Sequence, residues 1–150
     1  MKLAIIMPVY NGQDTVRRAV TSIDTKVEFE IICINDGSTD NTKHELTELQ
    51  KEFPNIKVIH QENQGAARSR NVGLAAMDDD TDAFMFLDAD DQYLPSRIDA
   101  MIQTYENHEE TDIVIGQIGR DVHGEWKVFP THEEIKRDEV VTLERNPEIL

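Results

Sequence analysis

Five short, mostly apolar runs recur along the chain: KLAIIMPV (2–9), FEIICIN (29–35), IKVIH (56–60), AFMFL (83–87) and DIVIGQI (112–118). None alternates cleanly between apolar and polar positions. Strands of this kind are buried on both faces, as in parallel sheets covered by helices. Stretches with helical spacing lie between them. Residues 13–23 place Val16, Ala19, Val20 and Ile23 on one face. Residues 41–53 do the same with Leu46, Leu49 and Phe53, and Asp40 or Ser38 is placed to cap that helix. Residues 65–77 are rich in Ala and Arg, and Pro95 suits the first turn of a helix carrying Ile98, Met101, Ile102 and Tyr105. Four βα units followed by another strand predict an α/β fold, a mostly parallel sheet with helices on both faces. Beyond about residue 119 the pattern weakens. GEWKVF reads as a short strand and THEEIKRDEVV as a helix or a charged connection.

A chain of 150 residues is one domain's worth. No apolar run approaches the roughly 20 residues of a membrane span, and LAIIMPVY is too short for a signal peptide. The single cysteine, Cys33, excludes an internal disulfide, fits a reducing cytoplasm and sits in a strand, where a buried thiol is the expected state. Charge is lopsided. The first 76 residues carry nine Lys/Arg against ten Asp/Glu, the remaining 74 carry six against twenty, and the net charge is −15. With no basic stripe, nucleic-acid binding is not expected. An acidic chain also repels a free anionic ligand, so binding a phosphate compound calls for a cation between the two.

The unusual polar residues fall at the strand ends, where open α/β sheets bind ligands. Strand one runs into Pro8-Val9-Tyr10-Asn11-Gly12 and strand two into Asn35-Asp36-Gly37-Ser38-Thr39-Asp40. Strand three is followed by Glu62-Asn63-Gln64-Gly65 and strand four by Asp88-Ala89-Asp90-Asp91. Each loop alone has a plain structural explanation: NDGSTDNT is turn and cap chemistry, Tyr10 could be a half-buried aromatic, and Arg68 reads as a solvated helix face. Four such loops on one edge make a site. The aspartate cluster resists the plain explanation best. Period-two alternation would aim Asp88 and Asp90 the same way, and close carboxylates raise each other's pKa unless something neutralises them. A hard divalent cation would do so. An acid/base carboxylate pair, as in a glycoside hydrolase, is the other chemistry such a pair offers, and nothing else in the chain points to it. No GxGxxG follows strand one and no GxxxxGK[ST] occurs, which argues against a dinucleotide-binding domain and a P-loop NTPase. A phospho-acceptor receiver domain would want a lone aspartate after strand three and a lysine after strand five; IKVIHQEN and IGQIG supply neither. The five histidines show no metal-ligand spacing.

IIMPVYNG, INDGSTDNT, ENQGAARSRNVGL and FLDADD, in that order and spacing, resemble the family 2 glycosyltransferases with the GT-A fold, a Rossmann-like sheet. The resemblance covers residues 3–118. It implies that Pro8, Val9 and Tyr10 line a nucleobase pocket, with Tyr10 able to stack on the base. It implies that Asp36 accepts a hydrogen bond from a uracil ring N–H and that Arg70 and Asn71 lie beside the nucleotide. Ser69 stands where the family usually has alanine. Asp88-Ala89-Asp90 matches the Asp-x-Asp motif: Asp88 and Ala89 face the donor, and Asp90, shared with Asp91, holds Mg²⁺ or Mn²⁺ bridging the two phosphates. The partners implied are a nucleotide-sugar donor, with UDP-sugar preferred, and a glycan, wall-polymer or lipid-linked acceptor.

Family 2 enzymes are typically inverting and need a general base. The acidic motif that supplies it lies beyond an acceptor-binding segment with no counterpart in this sequence. Asp121, Glu125 and Asp138 are acidic but sit in no matching context. The expectation is a nucleotide-sugar-binding half over residues 1–118 and the start of a truncated acceptor-side region over 119–150. It would be cytoplasmic, with peripheral membrane association in the full-length protein. The alternative is a non-catalytic nucleotide-sugar-binding module. A nucleotidyltransferase of related fold would want a glycine-rich basic loop after strand one, which VYNGQDTV is not.

Overall fold

The computed structural model describes residues 1–108, 110–116, 118–123 and 125–129. Two compact units divide the chain, one over residues 1–99 and one over 100–150. In the first, β1 (Lys2–Val9), β2 (Glu28–Asp36), β3 (Ile56–Gln61) and β4 (Ala83–Phe86) form a parallel sheet in the order β3-β2-β1-β4. Between these strands run α1 (Val16–Thr21), α2 (Thr42–Glu52) and α3 (Ala66–Ala75). The fold is therefore α/β, as the apolar runs predict.

Strand order fixes the faces. The steps β1→β2 and β2→β3 move the same way along the sheet, so right-handed crossovers put α1 and α2 on one side. The step β3→β4 returns past β1, so α3 lies on the other. Side-chain alternation then splits the core. Ala4, Ile6, Ile32 and Ile34 are buried beneath Val72, Leu74, Ala76 and Met77 on the α3 side. Leu3, Ile5, Met7, Ile31 and Cys33 face the opposite layer, where Val16, Ala19 and Val20 of α1 and Leu46 and Leu49 of α2 are buried. Each fully buried Ile, Leu, Val or Met among them contributes roughly 1.5–3 kcal/mol. Cys33 is fully buried, and burial pushes its thiol up to about 12.

Small residues let α3 lie close to the sheet. A Cβ on Gly73 would stand 2.3 Å from Ile6 Cγ2 and 3.0 Å from Ile34 Cδ1. The amino ends of the strands carry an ionic cluster. Lys2 Nζ reaches Asp78 at 2.9 Å and Asp80 at 2.6 Å, while Lys57 Nζ reaches Asp78 at 2.5 Å and the buried Glu30 at 2.7 Å. Asp78 and Asp80 of the MDDDTD run thus meet lysines, and Asp82 accepts the Lys2 backbone N–H, at the pole away from the polar strand ends.

Two sequence expectations need correction. DIVIGQI does not add a fifth strand to the parallel sheet. Residues 113–116 are unpaired, with Ile113 76% and Ile115 55% exposed, and pairing begins only at β5 (Ile118–Val122). β5 pairs antiparallel with β6 (Glu125–Phe129), within the GEWKVF segment, and His123, which follows β5, has φ 59°. A tight hairpin closes at far lower entropic cost than a long parallel crossover. Pro95 precedes α4 (Arg97–Asn107) rather than sitting in its first turn. THEEIKRDEVV and Asp138 lie outside the described residues.

Candidate functional site

The carboxyl ends of β1, β2 and β4 enclose an open cleft of about 420 Å³. Pro8, Val9 and Tyr10 form one wall, Asp36 and Arg70 another, and Asp88, Ala89 and Asp90 a third. Seven of those eight are predicted nucleotide-sugar-binding residues, and Asp90 is a predicted metal residue. Tyr10 stands at the rim, 54% exposed. Asn71 projects from α3 as an exposed residue, and it and Asp91 are not among those lining the cleft.

Asp36 ends β2 almost fully buried, at 3% exposure. Its Oδ1 accepts from Gln61 Nε2 at 2.7 Å and from the Gln64 N–H at 2.8 Å, and its Oδ2 accepts from the Gly65 N–H at 2.8 Å. Burial pushes this carboxyl up, but the Gln61 amide, the two backbone N–H groups and Ser69 outweigh it and hold it below the usual 3.8. Asp36 thus fixes the β3–α3 loop from the wall of the cleft. Gly37 beside it is at φ 68°, and a Cβ there would meet the Asn63 nitrogen at 2.6 Å.

The NDGSTDNT loop spends its polar groups largely on structure. Asn11 Oδ1 accepts from the Thr39 N–H at 2.8 Å, and the Asn11 N–H donates to Ser38 Oγ at 3.0 Å. The Gly12 N–H donates to Thr42 Oγ1 at 2.8 Å. The Asp40 carboxylate accepts from the Thr42 N–H at 3.0 Å, satisfying an unpaired donor of the first helical turn. The β1 and β2 loops are therefore stapled together as the floor beneath Tyr10.

The aspartate loop has a geometry that alternation does not give. β4 ends at Phe86, so residues 88–91 form a turn, closed by the Asp91 N–H donating to the Asp88 carbonyl at 3.0 Å. Period-two reasoning does not reach them; the turn is what brings Asp88 and Asp90 to the same cleft. Arg70 Nη2 lies 2.5 Å from Asp88 Oδ1, with its guanidinium 5.6 Å over the Phe86 ring. Tyr93 supports the turn, its hydroxyl donating to the Phe86 carbonyl at 2.9 Å. Burial, and then the charges of Asp88 and Asp91, push that hydroxyl up to about 12. The Asp90 carboxylate makes no hydrogen bond or ion pair to another described residue. Sequence reasoning did not single out Arg18, which donates to the Asp90 carbonyl at 3.2 Å. Only the fold brings α1 to the turn.

An unpaired carboxylate beside a second one suits a hard divalent cation. No group of three or more candidate ligand residues gathers among the described residues.

The sequence model of glycosyl transferase family 2 matches residues 4–149. The chain belongs to that family. Among curated members, TagX of Staphylococcus aureus, named as a glycosyltransferase, is 38% identical over 154 residues, covering all of this chain and 44% of its own length. The glycosyltransferase YibD of Escherichia coli is 32% identical over 138 residues, covering 87% of this chain and 38% of its own. The family 2 chain thus spans less than half the length of these relatives. Residues 1–349 of S. aureus TarS, solved alone and with UDP, superpose with a TM-score of 0.62 at 27% identity, covering 73% of this chain and 33% of that one. The four-stranded parallel sheet is thus the GT-A type of the structural neighbours. Among the described residues, no helix is long and apolar enough to cross a membrane.

Proposed function

We propose that this chain is the donor-binding half of a metal-dependent, inverting glycosyltransferase. It takes a nucleoside diphosphate sugar, best a UDP-sugar, and the longer protein transfers the sugar to a glycan, wall-polymer or lipid-linked acceptor at the cytoplasmic side of a membrane. The observation that carries this reading is the cleft, where a tyrosine rim, the buried Asp36, the Arg70–Asp88 pair and the unpartnered Asp90 carboxylate meet at three strand ends. The UDP complex of TarS supports it.

In this reading Tyr10 stacks on the base, and Asp36 accepts from the ring N–H. Asn71, beside Arg70, completes the nucleotide side. Arg70 holds Asp88 and Ala89 against the ribose and sugar. Asp90, shared with Asp91, holds Mg²⁺ or Mn²⁺. Bound there, the cation would stabilise the negative charge that the diphosphate gains on leaving. It also reconciles an acidic chain with an anionic donor. Residues 1–118 serve the donor and 119–150 begin the acceptor side.

Calorimetric titration of UDP in Mn²⁺ and in EDTA, for this chain and Asp90→Ala, tests the reading. The expected result is binding that needs Mn²⁺ and is lost in the variant. Binding equally strong in EDTA, or untouched by Asp90→Ala, overturns the metal assignment; no binding by the unaltered chain overturns the donor site as described.

A further inference from the structure

The acidic turn is held from both sides of the sheet. Arg70 of α3 meets the Asp88 carboxylate. From the α1 layer, Arg18 Nη2 donates to the Asp90 carbonyl at 3.2 Å, and Ser22, four residues on, accepts from the Tyr93 N–H at 3.1 Å. The Ser22 hydroxyl is itself oriented by donating to the Ala19 carbonyl at 2.7 Å.

The peptide between Asp90 and Asp91 is therefore gripped at both ends. Arg18 holds its oxygen, and the Asp88 carbonyl holds its N–H. A peptide unit is planar, so fixing both ends fixes ψ of Asp90 and φ of Asp91. Those torsions, with χ1, decide where both carboxylates point. Arg18 makes no ion pair among the described residues, although the chain has 30 acidic side chains, and directs its guanidinium to a carbonyl instead.

We propose that Arg18 is a positioning residue: by holding the Asp90 carbonyl, it sets the direction in which Asp90 and Asp91 present their carboxylates to a cation-bound nucleoside diphosphate. This rests on the donor-site reading above. A guanidinium fork is well shaped to hold a carbonyl, and a lysine can reach it with a single donor.

The test uses this chain, Arg18→Ala and Arg18→Lys. Mn²⁺ is titrated at fixed UDP, and amide hydrogen exchange of the turn is followed without metal or nucleotide. In Arg18→Ala the Mn²⁺ concentration for half-maximal UDP binding is expected to rise about 3- to 10-fold, the scale of one ordinary net hydrogen bond. Exchange at the Asp91 amide speeds up, and Arg18→Lys recovers part of both. Two results overturn the proposal. One is an unchanged Mn²⁺ midpoint with weaker UDP affinity at saturating Mn²⁺, which would make Arg18 a plain charge for the phosphates. The other is unchanged exchange at Asp91. Failure of the unaltered chain to bind UDP would count against the donor reading, and the exchange arm would still decide whether Arg18 holds the turn.

Discussion

Asp36 shows how one side chain can serve fold and ligand together. Its carboxylate gathers a side-chain amide and two backbone N–H groups from the β3–α3 loop. Asp36→Asn keeps the shape but turns an NH₂ toward at least one of those donors. A loss of about 1–3 kcal/mol is expected, read by urea unfolding at pH 7. The same donors give a pH dependence. The folded carboxyl titrates below 3.8, and the unfolded one near 3.9. Stability from this group is therefore full above about pH 3.9 and lost as pH falls through the lower, folded value. Unfolding free energies measured from pH 6 to 3 should fall less steeply for Asp36→Asn than for the unaltered chain. The position of Asp36 after an apolar strand was legible in the sequence. Its partners were not, because Gln64 and Gly65 meet it only once β2 and β3 are paired. Arg18 is the same case: nothing local marks a helical arginine as the holder of a carbonyl 72 residues away.

At the scale of the elements, strands buried on both faces announced themselves through continuous apolar composition, and α2 through the spacing of Leu46 and Leu49. α3 was found on weaker grounds, and its packing rests on what it lacks. A methyl at Gly73 would stand 2.3 Å from Ile6 Cγ2. Alanine favours an isolated helix over glycine by about 1 kcal/mol, yet Gly73→Ala is expected to destabilise by about 1–3 kcal/mol net, because the sheet must move aside. Thermal and urea unfolding of the variant check both sign and size. Where the sequence misled, at DIVIGQI, the reason is also one of elements. Composition marks a segment able to be a strand; it does not say which neighbour will pair with it. β5 finds β6 a few residues away and pairs with it antiparallel.

Across the first unit, carboxylates occupy opposite ends of the sheet under different terms. At the amino ends Lys2 and Lys57 neutralise the Asp78–Asp80 group, and the Lys57 and then the Lys2 hydrogen bonds bring Asp78 to about 2. Such exposed pairs add little to stability, because water and salt screen them. At the carboxyl ends Asp90 has no such partner. The sequence displayed the −15 imbalance; only the fold shows which of these carboxylates meet a cation, Asp78 and Asp80 at one end of the sheet and Asp88 at the other. A different consequence follows from β4. It is four residues long, pairs only with β1 among the described residues, and shows Phe84 48% and Phe86 40% exposed. An edge unpaired among the described residues, beside two aromatic rings, is a template for a second copy, and mutual repulsion between highly charged chains is what opposes it. The chain should behave as a charge-stabilised colloid. Added salt or mild acid should raise light scattering before circular dichroism records any loss of structure, and Phe84→Lys should delay that rise. Its working range in solution will then be set by crowding between copies, well inside the limits of the fold itself.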